Sequence, residues 1–284
     1  MRGSIRRCYR TATVWERHLP NAANVSVEIL PKALITGASG GIGLELARIF
    51  AREHYDVVLV ARNQTRLEEI AAELRSSHGV QADVIARDLA SPEAPAEIQR
   101  QVGPVDVLVN NAGYGLYGPF ADSPVEDELN LMHLNMDALV ALTRLFLPAM
   151  IASRRGRILN VASTAAFQPG PLMALYYASK AFVLHFSEAI ANELEGTGVT
   201  VTILCPGPTE TGFQARAAME DSRLVRMGRM MSAKAVAEKG YRGLIRGKTI
   251  VMPGVRNRIL AQSVRFSPRK LVTKIARMLQ DRVH

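Results

Sequence analysis

The feature that most constrains the fold is a regular alternation of short apolar strands and helices. Segment 31–36 (PKALIT) precedes a glycine-rich turn and the helix 44–53, and the Val-rich segment 55–62 (YDVVLVAR) precedes the helix 65–79. Strand and helix patterns continue to alternate as far as residue 254. Because strands that alternate with helices form a parallel sheet covered on both faces, we predict a single α/β domain with a doubly wound parallel sheet.

Polar residues collect where the predicted strands end. Gly37, Arg62, Asp88, the run 110–113 (NNAG) and Ser163 all follow apolar strand segments. Ligands of doubly wound sheets bind outside the carboxyl ends of the strands. The sequence therefore predicts a binding site at this edge.

The turn after the first strand has the composition of a phosphate-binding turn. It reads GASGGIG, with glycines at 37, 41 and 43, and a helix follows at once. Small residues let the backbone approach a pyrophosphate, while the helix N-terminus offers unpaired N–H groups and a positive dipole end. A nucleoside triphosphate loop needs a lysine where Leu44 stands. We therefore favour a dinucleotide.

The end of the second strand bears on the choice between NAD and NADP. An acidic residue there would bind the 2′-hydroxyl of the adenosine ribose, but the chain has Ala61 and Arg62. A guanidinium pairs with a 2′-phosphate. Arg62 thus favours NADP(H) over NAD(H), and the alternative is that Arg62 is only a solvated strand end.

A tyrosine and a lysine at helical spacing are the candidate acid/base pair. Tyr176 stands four residues before Lys180, which puts both on one helix face, whereas Tyr177 has Ala181 at that spacing and points elsewhere. A neighbouring ammonium stabilises a phenolate, so we expect the pKa of Tyr176 to lie below its usual value. Ser163 can hydrogen-bond a substrate oxygen. Taken alone, such a pair is also common on exposed helix surfaces.

Charge and cysteine content exclude several classes of function. The net charge is +9, but residues 1–30 carry +3 and residues 254–284 carry +7, so the centre of the chain is nearly neutral. A neutral centre does not favour a nucleic-acid surface. The two cysteines, Cys8 and Cys205, suggest neither a disulfide framework nor a metal site, and we assign no metal ligands.

The two ends are predicted to differ. Residues 1–30 are Arg-rich and show no clear period, as in a disordered tail, a transit peptide or a start codon placed too early. Within the basic C-terminal extension, 254–284, apolar residues after Pro268 fall at helical spacing opposite lysines and arginines. This helix could contact an anionic membrane peripherally, or pack on the domain or a partner subunit. No transmembrane span is expected, because segment 136–152 contains two charges.

Segment 208–232 interrupts the alternation between the sixth strand and the last helix of the domain. It contains Pro208 and several methionines, and we interpret it as a mobile lid over the substrate, the alternative being an ordinary pair of surface helices. The expected lining of the substrate pocket is apolar, which favours a hydrophobic substrate. Its members are Tyr114, Leu116, Tyr117, Phe120, Phe167, Leu172, Met173 and the methionines of the segment.

Taken together, these motifs resemble the short-chain dehydrogenase/reductase family. TGASGGIG, the Asp-Leu pair at 88–89, NNAG, Asn135, Ser163, Tyr176 with Lys180, and PGPTET at 206–211 occur in the family's order across residues 31–253. Within the family the chain resembles bacterial DltE-like oxidoreductases. The resemblance implies a Rossmann-type fold, a nicotinamide cofactor and carbonyl–alcohol interconversion.

The resemblance also implies roles for individual residues. Tyr176 would be the general acid/base, Lys180 would lower its pKa and bind the nicotinamide ribose, Ser163 would hold the substrate oxygen, and Asn135 would anchor a proton-relaying water. The implied cofactor contacts are Gly37, Ser39, Gly41, Ile42, Gly43, Arg62, Asp88, Leu89, Asn111, Ala112, Gly113, Tyr176, Lys180, Pro206, Gly207, Thr209 and Thr211.

Family habit further implies a cytoplasmic homodimer or homotetramer that acts on a small-molecule carbonyl or alcohol. A function of another class remains open, that of a regulatory or scaffold protein that binds NADP(H) without turnover. The intact set of Ser163, Tyr176 and Lys180 argues against it, because a binding module has no need of a proton donor. The substrate and the physiological direction cannot be read from the sequence.

Overall fold

The computed structural model describes residues 30–213, 217, 219, 222, 223 and 230–281. The predicted N-terminal extension, apart from Leu30, and much of the predicted lid therefore lie outside the described residues.

A seven-stranded parallel sheet forms the centre of the molecule, in the order β3-β2-β1-β4-β5-β6-β9. The Val, Ile and Leu runs that predicted these strands are buried because helices cover both faces. The strand order reverses at β1, which pairs with β2 on one side and β4 on the other, so a crevice opens between β1 and β4. The strands are β1 (Lys32–Thr36), β2 (Asp56–Ala61), β3 (Ala82–Ala86), β4 (Val107–Asn110), β5 (Gly156–Val161), β6 (Val199–Leu204), the short pair β7 (Thr209–Glu210) and β8 (Met231–Ser232), and β9 (Ile250–Val251).

Helices cover the sheet in two layers. Phe50, Leu67 and Leu244 belong to the core beneath α1, α2 and α7, whereas Ile98 and Phe146 belong to the core beneath α3, α5 and α6. The doubly wound α/β domain predicted from the alternating pattern is confirmed. The helices are α1 (Gly41–Arg52), α2 (Gln64–His78), α3 (Ala94–Val102), α4 (Val125–Met132), α5 (Ala138–Ala152), α6 (Ala174–Glu193), α7 (Ala233–Ile245), α8 (Val255–Ser263) and α9 (Arg269–Gln280).

One stretch of helix among the described residues is long and apolar enough to cross a membrane. It is Val125–Ala152, with a mean hydropathy of 1.4 over its most apolar window. The stretch includes a π-helical turn, His133–Asp137, and packs on the sheet through Leu142 and Phe146. The core therefore accounts for part of its apolar composition, since 39% of that window is buried.

The C-terminal extension forms two helices, α8 and α9. Val272, Ala276 and Gln280 lie one turn apart on the face of α9 that is buried against the domain. Leu271 and Met278 are each 50% exposed on its other side. The chain thus returns to the domain after β9 and leaves a second apolar face uncovered.

Candidate active site

The carboxyl ends of the strands surround a cavity of about 460 Å³. It receives nearly every residue that the sequence predicted to be catalytic or to bind the cofactor, because parallel strands end at one edge of a sheet. Gly43 and Asn135 are the two exceptions, and both lie behind the lining. The predicted residues in the lining are Gly37, Ser39, Gly41, Ile42, Arg62, Asp88, Leu89, Asn111, Ala112, Gly113, Ser163, Tyr176, Lys180, Pro206, Gly207, Thr209 and Thr211.

The glycine-rich turn leads from β1 into α1 with two positions that only glycine fits well. Gly37 has a φ of 66°, in the left-handed region. A Cβ on Gly43 would lie 2.3 Å from the carbonyl oxygen of Gly37 and 2.5 Å from the side-chain amide nitrogen, Nδ2, of Asn111. Helix α1 begins at Gly41 without a side-chain cap, and its first residues, Gly41 and Ile42, line the cavity. The turn therefore suits a pyrophosphate.

Thr36 and Asn111 hold this turn against the end of β4. The Thr36 hydroxyl accepts hydrogen bonds from the backbone N–H groups of Asn111 (2.9 Å) and Ala112 (3.0 Å). The Asn111 side chain donates to the Thr36 carbonyl at 2.9 Å. The sequence analysis missed Thr36, since a threonine at the end of a strand carries no signal of its own. Asn110 points into the core instead and donates to Asn160 at 2.9 Å.

At the far end of the crevice, Arg62 and Asp88 lie opposite each other. Their side chains are 68% and 51% exposed, and Nη1 of Arg62 is 3.7 Å from Oδ2 of Asp88. Arg87, which the sequence analysis did not single out, lines the same end and pairs with Glu97 at 3.1 Å. This end of the cavity is lined by two cationic side chains, those of Arg62 and Arg87, and by the Asp88 carboxylate.

Asn135 lies in the π-helical turn between α4 and α5, where it is 2% exposed. Its side chain accepts from the backbone N–H of Tyr114 (3.1 Å) and donates to the Tyr114 carbonyl (3.0 Å) and to the Ser179 hydroxyl (3.1 Å). A Cβ at Gly113 would lie 2.9 Å from Oδ1 of Asn135 and 3.6 Å from Nζ of Lys180. The side chains of Asn135, in the π-helical turn, and of Lys180, on α6, therefore both approach Gly113, which has no side chain to separate them.

Tyr176, Lys180 and Ser163 meet at the inner part of the cavity. Nζ of Lys180 donates to the Val161 carbonyl at 2.9 Å and lies 5.8 Å from the centre of the Tyr176 ring. The Ser163 hydroxyl accepts from the Ala165 N–H at 3.1 Å and thereby begins a short 3₁₀ helix. Helix α6 and the end of β5 thus bring a phenol, an ammonium and a hydroxyl together, as the sequence predicted.

The expected lowering of the pKa of Tyr176 was wrong. Burial raises the pKa of this phenol well above its usual value, and the Ser163 hydroxyl offsets only part of the effect by hydrogen bonding. Lys180 is itself desolvated, and burial lowers its pKa to about 8 although the Cys205 thiol acts in the opposite direction. The two residues share a helix face as expected, but desolvation of the phenol, and not the neighbouring ammonium, sets the direction of the pKa shift of Tyr176.

The apolar wall of the cavity differs in part from the expected one. Tyr114 and Met173 line it as predicted, with Met219 from the predicted lid. Leu116, Tyr117, Phe120 and Leu172 line an adjoining cavity of about 630 Å³, which shares Met173 and Tyr176 with the first. Phe167 lines neither of the two, because it packs in the core between α5 and α6.

The C-terminal helix supplies lining residues that the sequence analysis did not foresee. Ala276, Leu279 and Gln280 of α9 border the same cavity as Tyr176 and Lys180. The apolar periodicity of this segment was visible in the sequence, but the surface that it covers was not. Within the described residues, no group of three or more His, Cys, Asp or Glu side chains is placed to hold a metal ion.

Fold and site together define a doubly wound α/β domain of the dinucleotide-binding class with Tyr176, Lys180 and Ser163 in one cavity, and comparison with known proteins gives the family. A model of the short chain dehydrogenase family matches residues 31–221. The chain belongs to the short-chain dehydrogenase/reductase family. A ketoacyl reductase, HetN, from Nostoc sp. is 37% identical over 185 residues, or 63% of this chain; the chain spans 64%, less than two thirds, of that relative's length.

Solved structures agree with this assignment. A short-chain dehydrogenase from Sphingobium yanoikuyae in complex with NADPH aligns with a TM-score of 0.76 and 33% identity, covering 84% of this chain and 94% of the other. An alcohol dehydrogenase from Comamonas testosteroni that is specific for bulky-bulky ketones aligns with a TM-score of 0.72 and 30% identity, covering 84% and 93%. The narrower resemblance to DltE-like proteins stays a prediction.

Proposed function

We propose that this chain is an NADP(H)-dependent oxidoreductase that interconverts a carbonyl and an alcohol on a fairly hydrophobic substrate. The observation that carries the proposal is the convergence of Tyr176, Lys180 and Ser163 in one cavity, between a pyrophosphate-type turn and an apolar wall. A nicotinamide cofactor bound there would supply or accept the hydride. The chain's own residues would handle the proton and the substrate oxygen.

Tyr176 is protonated at neutral pH, but its raised pKa makes it a weak acid, so proton transfer would depend on stabilisation of the phenolate by its neighbours. The hydroxyl would give its proton to a carbonyl oxygen that is being reduced. The Lys180 ammonium would stabilise the phenolate that remains, and the Ser163 hydroxyl would donate a hydrogen bond to the substrate oxygen. In the oxidation direction the phenolate would take the alcohol proton.

Arg62 supports the preference for NADP(H). The guanidinium lies in the cavity lining just beyond the end of β2. An enzyme that binds NAD would have an acidic residue at this position to bind the ribose 2′-hydroxyl. Asp88 lies beside Arg62, and its carboxylate would repel a 2′-phosphate. The pairing of the two side chains would weaken that repulsion, because the guanidinium partly neutralises the carboxylate. The binding of NADPH by the Sphingobium yanoikuyae structure is consistent with this preference.

The wall opposite the turn supports the proposed substrate class. Met173, Phe213 and Met219 give it an apolar surface beside Tyr176, and the Phe213 ring centre lies 5.1 Å from that of Tyr176. Such a surface favours substituents without charge. The relatives named for ketoacyl and bulky ketone substrates support two candidate classes, 3-oxoacyl thioesters and bulky ketones.

The test is NADPH oxidation with a panel of aldehydes, ketones and 3-oxoacyl thioesters. We expect turnover by the wild type and a loss of about 10²- to 10⁴-fold in Tyr176→Phe, since general acid catalysis contributes that much. Tyr55→Phe is the matched control, because Tyr55 precedes β2 at the opposite edge of the sheet. Tight NADPH binding without turnover of any substrate class would favour the binding-protein function instead.

We also propose a homodimer or homotetramer through α5 and α6. Phe182 of α6 is 40% exposed and stacks on Phe186, with ring centres 5.8 Å apart, so an uncovered aromatic surface lies on this helix. Light scattering at micromolar concentration should give a multiple of the 31.0 kDa chain mass, and Phe182→Asp should reduce it. A monomeric wild type would contradict the proposal.

We expect a cytoplasmic protein that can touch an anionic membrane through α8 and α9. Phe266, between these helices, is 88% exposed, Leu271 is 50% exposed, and the acid-poor surface carries cations such as Lys270 and Lys274. Exposed apolar side chains beside cationic ones favour binding to anionic lipid.

A further inference from the structure

The inner face of α9 contributes to the candidate site although it lies beyond the residues matched by the family model, which end at 221. Ala276 is 4% exposed and Gln280 is 1% exposed, and both line the cavity, as does Leu279. A terminal helix attached loosely to the domain would not bury a polar amide so completely. The seat of α9 is therefore a specific one.

Three segments fasten the end of this helix. The side-chain amide of Gln280 donates to the Tyr177 hydroxyl, and its backbone carbonyl accepts from the Tyr117 hydroxyl at 2.6 Å. The carbonyl of Asp281 accepts from the backbone N–H of Arg223 at 3.1 Å. Helix α6, the loop after β4 and the backbone of Arg223 thus all hold the same end of α9.

Tyr177 links Gln280 to the candidate acid. It follows Tyr176 on α6, their ring centres lie 6.0 Å apart, and Tyr177 is 7% exposed. Its ring rests on Gly170, where a Cβ would come within 2.2 Å of it. The Tyr177 ring is fixed by Gly170 on one side and its hydroxyl by Gln280 on the other, so Gln280 determines the shape of the wall beside Tyr176.

The oxygen of the Gln280 amide is buried and has no hydrogen-bond partner among the residues that the structure describes. A leucine would fill the same space without an unpaired acceptor, so packing alone does not account for the amide. The contact with Tyr177 accounts for it.

We propose that α9 is an integral wall of the substrate cavity that selects bulky, uncharged apolar ketones, with Ala276 setting the size limit and Gln280 acting as a positioning residue through Tyr177. This inference rests on the proposed carbonyl reduction. Ala276 and Leu279 are apolar and line the same cavity as Tyr176, so a bulky substituent of the carbonyl carbon would meet them, and a larger side chain at position 276 would take up part of that cavity.

The size limit is tested with Ala276→Phe against Ile275→Phe. Ile275 is the neighbouring residue but is 45% exposed on the outer face, so it receives the same ring outside the cavity. With NADPH we expect Ala276→Phe to lower kcat/KM by about tenfold or more for benzophenone and far less for acetophenone, since small misfits in apolar pockets cost about 10- to 200-fold. Ile275→Phe should match the wild type. Equal losses for both ketones, or none, would overturn the size limit.

A second readout does not depend on turnover. The rise in melting temperature that benzophenone causes in the NADPH-loaded protein should disappear in Ala276→Phe and persist in Ile275→Phe. If this difference appears without any turnover, the role of α9 in the cavity wall is supported and the proposed reaction is contradicted. If both variants reduce benzophenone equally, the proposed reaction is supported and the role of α9 is contradicted. A wild type that neither binds nor reduces benzophenone overturns the inferred substrate class.

The positioning role is tested with Gln280→Leu, Tyr177→Phe and the double variant. Each single change should raise KM for benzophenone with little change in kcat, and the double variant should be no worse than either single one, because both remove the same contact. Losses of kcat/KM that multiply in the double variant would show that Gln280 does not act through Tyr177.

Discussion

Replacing Arg62 by alanine is the sharpest test of the assignment of the cofactor. Hydrogen bonds to charged groups contribute about 1.5–3 kcal/mol, and the lower end applies here because the Arg62 side chain is 68% exposed and screened by solvent. About 1.5 kcal/mol corresponds to a roughly tenfold weaker binding of NADPH. The change also leaves the Asp88 carboxylate, 3.7 Å away in the wild type, without its cationic partner. That carboxylate then repels a 2′-phosphate but not a ribose hydroxyl.

The assay is a fluorescence titration of NADPH and NADH against wild type, Arg62→Ala and Arg66→Ala. Arg66 is the control because it is exposed on α2, pairs with Glu69 at 2.7 Å and does not line the cavity. We expect a Kd for NADPH about tenfold higher in Arg62→Ala, an unchanged or lower Kd for NADH, and no change for either cofactor in Arg66→Ala. Added salt should weaken NADPH binding by the wild type more than by Arg62→Ala. Equal effects on the two cofactors, or none, would refute the role of Arg62 in selecting NADP(H).

Three further predictions follow from the contacts of single residues. Burial lowers the pKa of Lys180 to about 8, so its ammonium loses its proton as the pH rises through that value. The kcat/KM of carbonyl reduction should therefore fall as the pH rises through about 8. A pH profile of kcat/KM that stays flat there would contradict the role of the ammonium. Gly43→Ala places a Cβ 2.3 Å from the Gly37 carbonyl oxygen and should lower the free energy of unfolding, measured by denaturant titration, by about 1–3 kcal/mol. Gly40→Ala is the control and should lower it less, because nothing lies within 4 Å of a Cβ at that position. Equal losses in the two variants would show that the close approach at Gly43 is not the cause. In co-sedimentation, the protein should bind vesicles containing phosphatidylglycerol and not pure phosphatidylcholine, and Leu271→Glu should weaken that binding; no binding to either vesicle would remove the membrane contact.

Much of the site could be predicted from the sequence because it depends on local patterns. Alternating strands and helices require parallel strands, parallel strands bring their carboxyl ends together, and Gly37, Ser163 and Lys180 follow or face those ends. The spacing of Tyr176 and Lys180 on one helix fixes their common face without reference to any other part of the chain. The edge at which the cavity opens, and most of its lining, follow from these facts alone.

The rest was decided by contacts between segments that are distant in sequence. The direction of the Tyr176 pKa shift depends on how completely other elements exclude water from the phenol, so helical spacing gave the opposite sign. The pairing of Arg62 with Asp88 joins two strand ends, and the π-helical turn at Asn135 has no distinct sequence pattern. The spacing of apolar residues in α9 predicted a helix with one buried face. Only the tertiary structure shows that this face closes the cavity beside Tyr177. The reason is that a period of 3.6 residues specifies which face of a helix is apolar but not the surface against which it packs.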